Sequence, residues 1–187
     1  MIIATAYITP RSPRSSWFPE LVKYLELEIT FITKDEVFPL RKTPAIVTAG
    51  GFKLTETLAI ITYLVEVSSK PEFEGVTEEE RALNLRWLSF FNTDVMQAFY
   101  SVNHANTEKA RLDSMAKVLH LTGNVESCLQ EGCTKFLSSN VVLVSDIFIY
   151  HILIHIPILT QFPLVNRYFE AVQLHPIISN KLGDNPN

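Results

Sequence analysis

The sequence predicts an α/β domain built on a small mixed sheet, over residues 1–69, joined to an all-α domain over residues 76–187. Three observations predict it. Up to residue 67 the patterning reads β-α-β and then β-β-α, the make-up of a small sheet covered by helices. The polar, proline-bearing stretch Ser68-Ser69-Lys70-Pro71-Glu72 then reads as a linker. Beyond it every patterned segment is helical, which suits a bundle.

Residues 2–8 are apolar and β-prone, a first strand. Thr9-Pro10-Arg11-Ser12-Pro13-Arg14 is a loop, because two prolines bar regular pairing. A helix is predicted over 15–25, with Ser15 or Ser16 as N-cap and Pro19 in its first turn. Residues 28–33 alternate as a strand, and residues 35–42 are a short connector. Residues 44–47 and 51–54 form a hairpin about Ala49-Gly50. The stripe Leu58, Ile61 and Leu64 or Val65 marks a helix over 56–67. In the second domain Thr77-Glu78-Glu79-Glu80 is a capping box opening a helix that runs to about residue 102. Further helices are predicted over 107–130, 145–156, 165–174 and 177–182. Gly123 lies inside the first of these, where a glycine costs about 1 kcal/mol.

Composition narrows the function classes. With 47% hydrophobic and 19% charged residues among 187, the chain folds around a sizeable core. A net charge of -4 and the lack of a basic patch argue against a dedicated nucleic-acid binder. Two cysteines, Cys128 and Cys133, cannot make a disulfide framework, so a reducing compartment is expected. The start, Met1 to Tyr7, lacks the basic residues and long apolar run of a signal peptide. The longest apolar stretch, 147–159, contains two histidines and Pro157 and is too short to span a bilayer. A soluble cytoplasmic protein is the expectation.

Two runs carry the chemistry: Lys42-Thr43-Pro44-Ala45-Ile46-Val47 and Leu54-Thr55-Glu56-Thr57-Leu58-Ala59-Ile60. The first opens a strand on a proline, which has no N–H to give to the ladder. If its peptide bond is cis, the backbone of Thr43 turns outward and can hydrogen-bond a ligand's main chain; most X–Pro bonds are trans. The second passes from a strand end into a helix start, whose free N–H groups suit an anion.

With Trp17-Phe18-Pro19, Leu21-Val22-Lys23, Phe38-Pro39-Leu40-Arg41-Lys42-Thr43-Pro44-Ala45, Gly51-Phe52-Lys53-Leu54-Thr55-Glu56, Tyr63-Leu64-Val65 and Leu85-Arg86-Trp87, the chain resembles the glutathione transferase superfamily over nearly its whole length. Within it, these strings look like the fungal gamma subunit of translation elongation factor 1. The resemblance implies a thioredoxin-like N-terminal domain and a helical C-terminal domain. It implies that Thr43 and Pro44 hold the cysteinyl part of glutathione, Glu56 and Thr57 its γ-glutamyl end, and Lys42 a carboxylate. A thiolate-stabilising hydroxyl would come from Ser12, Ser15 or Ser16, with Tyr7 a lesser candidate and Arg14 an electrostatic helper. Two departures bear on activity. The family usually has a helix between the second strand and Pro44, where this chain has only Thr33 to Pro39, and the loop after Tyr7 carries Pro10 and Pro13. A third concerns stability: a capping box around Asp146 would place Ser or Thr three residues earlier, and Leu143 stands there, a loss of about 0.5–2 kcal/mol. Asp146 or Ser145 offers a substitute.

Two functions follow as expectations. One is a non-catalytic or weakly catalytic module for protein–protein assembly in translation, with the nucleotide-exchange subunit of elongation factor 1 or other translation proteins as partner. The alternative is a glutathione transferase conjugating glutathione to small electrophiles. A homodimer is expected by analogy, with no direct nucleic acid and no membrane. Full-length gamma subunits carry a linker and a further C-terminal domain, which this sequence does not contain.

Each candidate also has a plainer reading. Glu56 either contacts ligand or favours its own helix dipole. The serines suit a loop and N-cap as well as catalysis. Arg11 and Arg14 either hold a carboxylate or phosphate or are surface charges. Cys128, Cys133 and His120 lack the four ligands of a zinc site, so no metal is expected. His151 and His155 are four apart on one predicted helical face, but packed histidines fit that apolar segment better than a chelate.

Overall fold

The computed structural model describes residues 3–33, 38, 42–156 and 159–183. Apart from Phe38 and Lys42, the predicted connector lies outside them. Strands β1 (Ala4–Tyr7) and β2 (Ile29–Ile32) flank helix α1 (Phe18–Tyr24), and strands β3 (Ala45–Thr48) and β4 (Lys53–Thr55) precede helix α2 (Thr57–Glu66). The sheet order is β2-β1-β3-β4. Strand β1 pairs parallel with β2 and antiparallel with β3, which pairs antiparallel with β4. The crossover through α1 permits the parallel pair, and the tight Ala49-Gly50 turn the antiparallel hairpin.

The predicted N-cap of α1 is corrected. Trp17 holds that position without a side-chain cap bond, and the N–H groups of Ser15 and Ser16 donate instead to Ser12 O in the preceding turn. A cap hydroxyl must stand directly before the first helical residue, and with the helix starting at Phe18 both serines fall short of that position. Trp17 is fully buried. It stacks on His151 at 5.6 Å, and its indole N–H donates to Pro13 O.

After a 3₁₀ turn (Pro71–Glu74) come α3 (Glu78–Phe90), a π-helical turn (Phe91–Val95), α4 (Met96–Asn103), α5 (Glu108–Glu131), α6 (Val144–Leu153), a 3₁₀ turn (Leu159–Gln161), α7 (Pro163–Gln173) and α8 (Pro176–Gly183). The capping box forms as expected: Glu80 N–H donates to Thr77 Oγ1 at 3.2 Å, and Thr77 N–H to Glu80 Oε2 at 3.3 Å. The single long helix predicted to residue 102 is interrupted by the π turn, which widens the coil at Asn92. The predicted 145–156 helix ends at Leu153, before the residue preceding Pro157, a position from which proline's ring disfavours helical geometry. His155 therefore lies beyond the helix end.

One continuous core runs from Trp17, Leu21, Ile46, Ile60 and Leu64 to Phe91, Met96 and Phe148. Burying each such side chain contributes roughly 1.5–3 kcal/mol. Among the described residues no helix is long and apolar enough to cross a membrane.

Candidate functional site

Strand pairing assembles the site. The register Tyr7↔Ala45 sets the loop after β1 beside the start of β3, where Thr9 and Thr43 share a hydroxyl–hydroxyl hydrogen bond. The register Ala45↔Thr55 sets Thr43-Pro44 beside Glu56. The Thr43–Pro44 peptide bond is cis. These segments, with the turn before α1 and the π turn, enclose a cleft of about 210 Å³ lined by Arg14, Phe38, Lys42, Thr43, Pro44, Thr55, Glu56, Thr57 and Asn92.

Glu56 holds the N-cap position of α2 at φ 71°, a left-handed conformation that a side-chain-bearing residue adopts at a cost of about 1–3 kcal/mol. It is exposed, and among the described residues its carboxylate has no hydrogen bond or ion pair. The first N–H groups of α2 are left without a cap side chain, so an anion at that end finds donors and the positive end of the dipole. Thr57 is buried, and Lys42 is exposed. One cleft thus offers a carboxylate, a lysine and free helix N–H groups, a set matched to a ligand with an ammonium and carboxylates.

Arg14 reaches the cleft from the turn before α1. Its Nε donates to Asn92 Oδ1 and its Nη2 to Asn92 O, both at 2.9 Å, and the guanidinium carbon lies 5.5 Å from the centre of the Tyr100 ring. Arg11 is exposed and is not among the lining residues.

The structure thus brings together Arg14, Lys42, Thr43, Pro44, Glu56 and Thr57, while Ser12, Ser15 and Ser16 are not among the described residues that line the cleft. Ser15 is fully buried; its hydroxyl donates to Thr9 O at 3.4 Å and accepts from Thr9 N–H at 3.3 Å. Ser12 Oγ accepts from Arg14 N–H at 3.3 Å. Tyr7 is buried against Phe38 and Ala45. Sequence reasoning missed Asn92, Thr55 and Thr9. Asn92 has no local signal, because only the fold brings it 78 positions back to Arg14. Thr9 sits in the predicted loop, but its hydroxyl bond to Thr43 needs the β1–β3 register.

The helical half carries a separate polar device. Asp146 is fully buried; it accepts from Leu143 N–H at 2.8 Å and from the Tyr168 hydroxyl at 2.7 Å. Burial pushes its carboxyl up to about 6, against the pull of those bonds. Burial and the adjacent Asp146 raise the Tyr168 phenol well above its ordinary value. The N-cap acceptor missing at Leu143 is replaced from α3, because Asn84 Oδ1 accepts Ser145 N–H at 3.0 Å. Ser145 is not the substitute: its buried hydroxyl has no hydrogen-bond partner among the described residues. His155 packs near Phe99 at 6.0 Å. Among the described residues no group of three His, Cys, Asp or Glu could hold a metal ion.

No family model matches the chain. It is 38% identical to glutathione S-transferase Y-2 of Pichia kudriavzevii, over 96% of this chain and 100% of that protein. It is 27% identical to elongation factor 1-gamma 1 of Saccharomyces cerevisiae over 90% of this chain but only 47% of the relative, so it spans about half of that protein's length. The crystal structure of a glutathione S-transferase from Pichia kudriavzevii matches with a TM-score of 0.85 and 39% identity, covering 96% of each chain. The GST-like domain of elongation factor 1-gamma from Saccharomyces cerevisiae matches with a TM-score of 0.82 and 25% identity, covering 98% of this chain and 94% of the other. A full-length relative at this identity, with the mixed sheet and helical half in the same arrangement, places the chain in the glutathione transferase superfamily.

Proposed function

We propose that the cleft binds glutathione and that the chain conjugates it to small electrophiles. The observation that supports this is the convergence of Lys42, Thr43-Pro44, Glu56 and the uncapped start of α2 in one cleft. Glu56 meets the γ-glutamyl ammonium, the α2 N–H groups meet its carboxylate beside Thr57, and Lys42 meets the second carboxylate. The backbone of Thr43 and Pro44 faces the cysteinyl unit. Conjugation is attack of the glutathione thiolate on an electrophilic carbon, with a sulfur–carbon bond formed and the leaving group departing with its electron pair. The full-length similarity to glutathione S-transferase Y-2 points the same way.

Isothermal titration with reduced glutathione tests the reading, with Glu56→Ala as control. Saturable binding lost in the variant, followed by turnover of at least one electrophile from a panel, is expected. No binding up to millimolar concentrations counts against it.

The second reading is an assembly module of the elongation factor 1-gamma kind, favoured by the similarity to that factor's GST-like domain. Its partner would be the nucleotide-exchange subunit of elongation factor 1 or another translation protein, and its surface the exposed aliphatic and aromatic side chains. Co-purification without any such partner, together with turnover, rejects this reading in favour of the first. In either reading we infer a cytoplasmic homodimer with units at residues 1–69 and 76–187.

A further inference from the structure

The sulfur of a glutathione bound in this cleft needs a group to hold its charge, and Ser12, Ser15 and Ser16 are absent from the described lining. The Ser15 hydroxyl already donates to Thr9 O, and Ser12 Oγ accepts from Arg14 N–H outside the described lining of the cleft. Arg14 is different. Its side chain lines the cleft as a permanent cation, and among the described residues no carboxylate pairs with it. Two hydrogen bonds of 2.9 Å to Asn92 fix the plane of the guanidinium, and the face of Tyr100 supports it at 5.5 Å. Both neighbours come from the helical half, Asn92 from the π turn that displaces that stretch of backbone. A cation held on two sides by neutral groups is neither neutralised nor free to swing away, as an electrostatic site requires. Among the described residues the other charged groups lining the cleft are Lys42 and Glu56, which in the glutathione reading meet the ends of the tripeptide.

We propose that Arg14, positioned by Asn92, holds the glutathione thiolate in place of a serine hydroxyl. This rests on the glutathione reading above and names the group that acts on its sulfur. The step balances simply. The thiol gives its proton to solvent, the thiolate pairs with the guanidinium, and its lone pair then forms the sulfur–carbon bond. With 1-chloro-2,4-dinitrobenzene as electrophile, chloride leaves with the bonding pair.

The test is titration of bound glutathione by the ultraviolet absorbance of its thiolate, for wild type, Arg14→Gln and Asn92→Ala, with affinity measured separately by calorimetry. Removing an opposite charge near a titrating group moves it by about one to three units. Arg14→Gln is expected to raise the apparent pKa of the bound thiol by that amount and to slow conjugation at neutral pH about 10- to 1000-fold, with glutathione still bound. Asn92→Ala keeps the cation but loses one of its two bonds, so it raises the same pKa by less; it also decides the matter if Arg14→Gln does not fold. Bound thiol titrating as in wild type in the variants overturns the assignment, as does a rise produced by Ser12→Ala, Ser15→Ala or Ser16→Ala instead. A folded Arg14→Gln protein that no longer binds glutathione overturns it too, because Arg14 is then an anchor for a carboxylate. Wild type that binds no glutathione overturns the ligand reading itself, and the assignment to Arg14 falls with it.

Discussion

Asp146→Asn isolates a carboxyl whose ionisation works against the fold. Asp146 is fully buried, and burial raises its carboxyl to about 6, whereas an unfolded aspartate titrates near 3.8. Between those values the native state carries the proton and the unfolded state does not. Stability therefore falls as pH rises through this window; the contribution is complete below about pH 4 and lost above about pH 6. A gap of roughly two units, at 1.36 kcal/mol per unit, amounts to about 3 kcal/mol. His175 opposes it. Burial between the rings of Tyr24 and Phe73 pushes its imidazole down to about 4, so its neutral form contributes stability above pH 6.5 that is lost as pH falls toward 4. Because the two groups act in one window with opposite sign, whole-protein stability against pH is a poor readout and the difference between two proteins is a good one. The assay is urea unfolding of wild type and Asp146→Asn at steps from pH 4 to pH 7. His175 and the exposed carboxylates Glu26, Glu80 and Glu108, which hydrogen bonds to Lys70, Ser139 and Arg111 hold below the ordinary value, are common to both. Wild-type stability minus variant stability is expected to fall by about 3 kcal/mol from pH 4 to pH 7. A difference that stays level across that range refutes the reasoning.

Three further perturbations test separate devices. Asn84→Ala leaves the Ser145 N–H buried without its acceptor and is expected to destabilise by about 1–3 kcal/mol in urea unfolding; a change within error would show that the α6 start does not need this cap. Gly75→Ala places a Cβ 2.7 Å from Glu80 Cβ and 2.8 Å from Arg81 N at φ 123°, so a loss of about 2–3 kcal/mol is expected, with fraying of the α3 start by circular dichroism. Glu56→Gly relieves the left-handed backbone, worth about 1–3 kcal/mol, less about 0.5–1 kcal/mol for glycine's greater freedom when unfolded. A gain near 1 kcal/mol with weakened glutathione binding is expected, and a net loss of stability would count against strain at that residue.

What could be read from the sequence was local. The hairpin about Ala49-Gly50, the capping box Thr77–Glu80 and the amphipathic stripe of α2 each depend on residues within a few positions of one another, and each formed where expected. The cleft residues Lys42, Thr43, Pro44, Glu56 and Thr57 came from motif resemblance, and the β1–β3 and β3–β4 registers bring them together. What escaped was set by long-range contacts. The α1 cap failed because the helix begins only at Phe18, which leaves Ser15 and Ser16 in the preceding turn and Trp17 at the N-cap position. The cap of α6 comes from Asn84, 61 positions away, and the partner of Arg14 is 78 positions away. Neither asparagine differs locally from any polar residue on a helix.

Those two asparagines also separate stability from chemistry. They are eight residues apart on the run from α3 into the π turn, and at about 100° per residue they point roughly 80° apart. Asn84 meets α6, while Asn92 meets the loop that carries Arg14. The first bond joins two helices of one half; the second joins the two halves across the cleft. Loss of the Asn84 bond should therefore loosen the helical half with the cleft intact, and loss of the Asn92 side chain should alter the cleft with little change in stability. Any chain of this fold can use either bond to hold its parts together, but only the second also fixes a guanidinium at the cleft. The two-point hold on Arg14, with no carboxylate paired to it among the described residues, is thus where the proposed chemistry meets its sharpest test.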